Sequence, residues 1–315
     1  MLKKYTSILL LFFVCFTFAG AVNAWDDTGH KVSTYIAWQQ MTPEVRAKAI
    51  KLLRGAPEDS HLGVYYPAGS RSSSAKELEL FMIASTWPDI IRNQDFKVRF
   101  DKYHKGPWHY AGILWKQEAV NAVREQAVSD GLAIIKLPDF EKNLKDGSIS
   151  DAEKAVNLAW FLHVAGDVHN PLHNAARITS VETDGDRGGN RFLLVPEGTK
   201  ENVLNLHSYW DGILSRGIPR ANDACDSDYI AEIAEKTMRK YPFSSLKNRL
   251  KLQSYDEWNN EGFRLLNNVV YTNGLKRNEL PSKKYQQRAF TTGQEQIALA
   301  GYRIAETLNQ IFKDS

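Results

Sequence analysis

Residues Phe161–His173 read FLHVAGDVHNPLH and place His163, Asp167 and His173 within one short stretch. A histidine four residues before an aspartate shares one face of a helix with it, so one nitrogen and one oxygen donor point at the same spot. The same spacing also describes a solvated helical ion pair worth only about 0.3–0.5 kcal/mol. A second copy shifts the balance toward chemistry: Leu206–Asp211 reads LHSYWD, with His207 four residues before Asp211. Nitrogen and oxygen donors without thiolate suit a catalytic Zn²⁺ site, although the same donors also accept Mn²⁺ or Fe²⁺.

Further candidates lie upstream. Trp25 and His30 stand close together in WDDTGH. If residues 1–24 are cleaved, the Trp25 α-amine and carbonyl can close a five-membered chelate that His30 completes; otherwise the stretch is a frayed terminus with a surface histidine. Asp89 follows Pro88 in TWPDIIR, either as a carboxylate facing a cleft or as a helix N-cap, and Arg92 reads as a phosphate clamp or a surface charge. His109 sits in an aromatic run, WHY, as a ligand or a satisfied core residue, and Tyr110 beside it suits stacking on a base.

The elements that must position these groups are helices. Ser150 and Glu153 form a capping box ahead of an apolar run from Ala155 to Val168, and Pro171 ends that helix, so that a turn returns His173. Thr28–Gln40, a segment from Pro43 to Gly55, one opened by Ser74/Glu77, Asp228–Lys240 and Ser254–Tyr271 carry apolar residues at helical spacing. Ile297, Gly301, Ile304, Leu308 and Ile311 give the last helix its stripe. One strand signal interrupts this pattern: Arg191–Pro196 and Val203–Leu206 around a Glu197–Lys200 turn predict a single short β-hairpin. The expected fold class is all-α, in one multi-helix domain spanning 25–315.

Lys3 and Lys4, the apolar run Ile8–Ala19 and Val22-Asn23-Ala24 form a signal peptide pattern over residues 1–24, too short to span a bilayer as an anchor. Without it only Cys225 remains, and the chain holds no Asn-x-Ser/Thr sequon, which together suit a bacterial periplasm or medium. Removing Lys3 and Lys4 takes the 40 basic residues to 38 against 37 acidic ones, so net charge does not mark a polyanion binder.

The ordered set of Trp25 with His30, ASTWPDIIR, WHY, HVAGD, NPLH, GGN and LHSYWD resembles the S1/P1 nuclease family over nearly all of residues 25–315. That resemblance implies a phospholipase C/P1 nuclease-like fold with three zinc ions in one cleft. One ion would take Asp89, His109, His163 and Asp167; the second Trp25, His30 and the shared Asp167; the third His173, His207 and Asp211. It implies an exported, monomeric endonuclease cutting single-stranded DNA or RNA to 5′-nucleotides, with 3′-nucleotidase activity as a further expectation. A metal-activated hydroxide oriented by Asp89 would attack phosphorus while the third ion stabilises the leaving 3′ oxygen. Arg92 would hold the phosphate, Tyr110 would stack on a base and Asn190 would help hold it. Gly112 departs from the family pattern, which has a base-reading Asp there in fungal members. The alternatives are a zinc-dependent phospholipase C, disfavoured by the close Trp25–His30 spacing and by Asp rather than Glu at 211, and an exported zinc-binding protein without turnover.

Overall fold

The computed structural model describes residues 25–118, 121–128, 130–194, 204–221, 225–272 and 274–313. The expected signal peptide at 1–24 and the expected Glu197–Lys200 turn lie outside these residues.

In chain order the helices are α1 (Asp27–Gln40), α2 (Pro43–Arg54), α3 (Ser73–Ile90), α4 (Lys97–Tyr103), α5 (Ala133–Lys145), α6 (Asp151–Asp167) and α7 (Pro171–Asn174). They continue with α8 (Leu206–Asp211), α9 (Ile213–Gly217), α10 (Asp226–Lys240), α11 (Phe243–Leu246), α12 (Tyr255–Leu265) and α13 (Lys283–Phe312). The all-α class is borne out.

Helix α6 is the centre. From Leu158 to Asp167 every residue is buried, which follows from a sequence apolar on all faces. Helices α2, α3, α5 and α13 pack around it. Ser150 caps its start as expected, its hydroxyl accepting from the Glu153 amide at 3.2 Å. Helix α13 runs along α1, and its predicted stripe is buried throughout. A Cβ at Gly301 would lie 2.6 Å from the Ser33 carbonyl oxygen, so this glycine sets how closely the two helices cross.

Three boundaries differ from expectation. Helix α3 begins after Ser72, whose side chain accepts from the Ala75 amide, rather than at a Ser74/Glu77 box; three consecutive serines offer equivalent caps, and packing selects the first. The same helix runs through Pro88, so Asp89 lies in its last turn and is not an N-cap. Helix α12 stops at Leu265 and passes into a π-helical turn, Leu266–Val270.

The predicted hairpin is present as β4 (Leu193–Leu194) pairing antiparallel with β5 (Leu204–Asn205). It is not alone. Strands β1 (Ile113–Glu118), β2 (Asn121–Val128) and β3 (Ala175–Ile178) form a sheet in the order β2-β1-β3, antiparallel then parallel. The sequence of β1 and β2 is rich in Gln, Glu and Ala, residues with little strand preference, so its strand state comes from pairing and from burial of Trp115 against Phe263 and Tyr271. The parallel pair joins Ile113 to Ala175, just beyond the WHY and NPLH segments, and holds those two segments side by side.

Candidate metal centre

Helix α6 carries His163 and Asp167 on one face, both fully buried, with the His163 Nε2 3.2 Å from the Asp167 Oδ2. His163 Nδ1 lies 2.7 Å from the Ser85 carbonyl of α3, so Nδ1 donates there and the ring is fixed with Nε2 facing the cluster. His109, at the end of a 3₁₀ turn, brings its Nδ1 within 2.8 Å of that Nε2 and 3.3 Å of Asp167 Oδ2. Helix α1 brings His30, stacked on His163, to the other carboxylate oxygen: His30 Nε2 is 3.3 Å from Asp167 Oδ1. One carboxylate therefore faces two sets of imidazoles, one with each oxygen. Asp89 Oδ1 completes the group, 3.9 Å from both His163 Nε2 and His109 Nδ1.

Trp25 belongs to the same neighbourhood. Its indole donates to the Gly166 carbonyl at 2.9 Å, and it packs so tightly on α1 that a Cβ at Gly29 would lie 2.8 Å from its own Cβ. The sequence neighbours of its two contacts are His30 and Asp167.

A second cluster lies alongside. His173 comes from the short turn that Pro171 starts, and His207 and Asp211 from α8. Their Nε2 atoms are 3.8 and 3.6 Å from the two Asp211 oxygens. Each ring is fixed through Nδ1, His173 to the His109 carbonyl at 2.6 Å and His207 to the Gly188 carbonyl at 2.7 Å. Asn170 Nδ2 donates to Asp211 Oδ1 at 2.8 Å while its own oxygen caps the His173 turn. Asn170 is marked in the sequence only by standing before Pro171 and a candidate ligand histidine.

These groups suit divalent cations. The donor atoms of His109/His163/Asp167, of His30/Asp89/His163 and of His173/His207/Asp211 each lie within 4.8 Å of one another. Separations near 3.3 Å are what tetrahedral bonds of about 2.0–2.1 Å require between neighbouring ligands. Both His30 nitrogens, both Asp167 oxygens and His173 Nε2 are buried without a hydrogen-bond partner, a cost a fold accepts where a cation supplies the missing interaction. The electrostatics agree. Burial, followed by the nearby Asp167 charge, pushes Asp211 well above its ordinary value, and burial lowers His109 to about 3, so its imidazole is neutral and able to ligate. Burial also works against Asp167, but the imidazoles of His163 and His173 hold it well below the usual carboxylate range.

Arg92 pairs with Asp89 at 3.0 Å, at the edge of the first cluster. Tyr110 and Asn190 line a cleft of about 430 Å³ that reaches His173 and His207 at one end and also includes Gly112, Asp130, Leu172, Asp184 and Arg187. Asn190 Nδ2 donates to the Arg187 carbonyl at 2.7 Å. His169, outside both clusters, is buried in a contact with Arg303. Among the described residues no helix is long and apolar enough to cross a membrane.

The S1/P1 Nuclease family model matches residues 25–313. Nuclease P1 from Penicillium citrinum is 23% identical over 298 residues, covering 91% of this chain and 97% of that protein. Nuclease PA3 from a Penicillium species shows the same identity and coverage.

Proposed function

The chain belongs to the S1/P1 nuclease family, and from that premise we propose that it is an exported trinuclear-zinc phosphodiesterase, a single catalytic domain over 25–315, which cuts single-stranded DNA and RNA to 5′-nucleotides. The observation that carries this reading is the two-faced Asp167 carboxylate, buried between His30 on one side and His109 with His163 on the other.

In this reading Asp89, His109, His163 and Asp167 would hold one ion, Trp25, His30 and Asp167 the second, and His173, His207 and Asp211 the third. When bound, zinc supplies Lewis acidity that lowers the pKa of water and stabilises negative oxygen. The protein contributes order. The Ser85, His109 and Gly188 carbonyls lock the rings of His163, His173 and His207 so that their Nε2 lone pairs converge. Asp89, held in the last turn of α3, orients the attacking water and accepts its hydrogen bond. Arg92 moves from Asp89 to grip the scissile phosphate through two N–H groups. Tyr110 offers its ring to a base, a contact worth roughly 1–3 kcal/mol and indifferent to sequence, and Asn190 borders the same cleft.

The test is elemental analysis of protein that begins at Trp25, combined with digestion of single-stranded nucleic acid. Three zinc ions per chain and 5′-phosphorylated products are expected. Faster hydrolysis of phosphatidylcholine than of nucleic acid would make the chain a zinc-dependent phospholipase C, and bound zinc without turnover would make it a sequestering protein.

A further inference from the structure

The cleft beside His173 and His207 contains an acid that no motif marked. Asp130 accepts a hydrogen bond from the Tyr110 hydroxyl at 2.7 Å, across a gap of twenty residues. Its position is built in. The next residue, Gly131, lies so close to the Tyr110–Gly112 backbone that a Cβ there would fall 2.4 Å from the Gly112 nitrogen and 2.6 Å from the Tyr110 carbonyl oxygen. Two backbone bonds continue the attachment, from the Leu132 amide to the Pro107 carbonyl at 2.7 Å and from the Ala133 amide to the Tyr110 carbonyl at 3.0 Å. Asp130 is nonetheless exposed at the cleft wall.

The other walls differ in kind. Gly112 offers no side chain, and its φ of 73° disfavours one. Asp184 is engaged by the Arg191 guanidinium. Arg187 and Asn190, on the loop that also carries Gly188, supply donors. Among the described residues that line the cleft, Asp130 is thus the carboxylate that no arginine holds. The Tyr110 hydroxyl is the donor in this bond, and the Asp130 carboxylate has lone pairs to spare after accepting from it.

We propose that Asp130 is a specificity-determining residue: its carboxylate reads the Watson–Crick edge of the base stacked on Tyr110 and selects guanine. This rests on the nuclease reading above. A carboxylate only accepts hydrogen bonds, and guanine presents two adjacent donors, N1–H and the 2-amino group, that it can receive together. Adenine and cytosine set a ring-nitrogen acceptor beside their amino group, and thymine or uracil flanks its single N–H with two carbonyls, so each turns an acceptor toward the carboxylate. Because the cleft opens at His173 and His207, the base read is that of the nucleoside whose 3′ oxygen leaves.

The experiment compares kcat/KM of the zinc-loaded wild type on the dinucleoside phosphates GpT, ApT, CpT and TpT with that of Asp130→Asn and Tyr110→Phe. The wild type should favour GpT by roughly 5- to 150-fold, the discrimination a bidentate pair supports. Asp130→Asn should bring GpT down to the level of the others and leave those three within about twofold. Tyr110→Phe keeps the ring and should keep the preference for GpT. A wild type that cleaves all four alike, or an Asp130→Asn variant that slows all four equally as a purely structural residue would, overturns the assignment and leaves the nuclease reading intact. A wild type inactive on all four overturns both.

Discussion

Asp167→Asn removes one charge and turns one of two oxygens into an NH₂ group. Oδ1 is 3.3 Å from His30, and Oδ2 is 3.3 and 3.2 Å from His109 and His163. Whichever way the amide turns, one set of imidazoles then faces a donor that cannot bind metal, and the other faces a neutral carbonyl in place of a carboxylate. Loss of an outer partner of a ligand already lowers metal affinity about 10- to 100-fold, so loss of the shared ligand itself should cost at least about 100-fold at each ion, or roughly 2.7 kcal/mol. The apo fold should survive, because a neutral amide is easier to bury than an uncompensated carboxylate. Equilibrium dialysis at submicromolar free zinc followed by elemental analysis should give three ions for the wild type and one for Asp167→Asn. Asp211→Asn, confined to the second cluster, should retain two. Circular dichroism checks that the variants are folded. An Asp167→Asn protein that keeps three ions, or loses only one, refutes the bridging geometry.

Other outcomes follow from different parts of the molecule. Extra residues before Trp25 should remove the ion at His30 and abolish activity, since the amine becomes an amide; a fully active extended protein counts against the terminal chelate. Arg303 is fully buried and donates to His169, Glu261 and the Arg249 and Leu250 carbonyls, so Arg303→Met should cost about 3–5 kcal/mol in urea denaturation, and a change under 1 kcal/mol would show these contacts to be dispensable. Glu141 is opposed by burial, yet Lys145, Tyr255 and Gln253 hold its pKa below the ordinary 4.5. A depressed folded pKa means stabilisation that is complete above the unfolded value and disappears as the pH falls through the folded one. Glu141→Gln should therefore lower stability at pH 7 and converge with the wild type under acid; a gap that persists unchanged at pH 2 would contradict this.

The local patterns were legible where a single element contained the whole message. The i,i+4 pairs His163/Asp167 and His207/Asp211 lie on helices as their spacing required, Ser150 caps α6, and the α13 stripe is buried residue for residue. Legibility failed where long-range contact overrode local preference. Strands β1 and β2 carry residues that favour helices, and only their pairing, with β3 on the other edge, makes them strands. Asp89, one of whose readings was an N-cap after Pro88, lies inside a helix that tertiary packing carries two residues past that proline. Asp130 stood in no motif, and Asn170 stood in NPLH without a role, because each acts on a partner twenty or more residues away.

From sequence alone came the donor types, their faces on the helices and the helical class, since these depend on residue chemistry and on a periodicity of a few residues. The tertiary structure decided which donors meet. His30, His109 and Asp167 are far apart in the chain, and their convergence depends on the crossing of α1 with α6 and on a small sheet that ties WHY to NPLH. Such contacts are set by packing and strand pairing across the whole chain, which no local window contains.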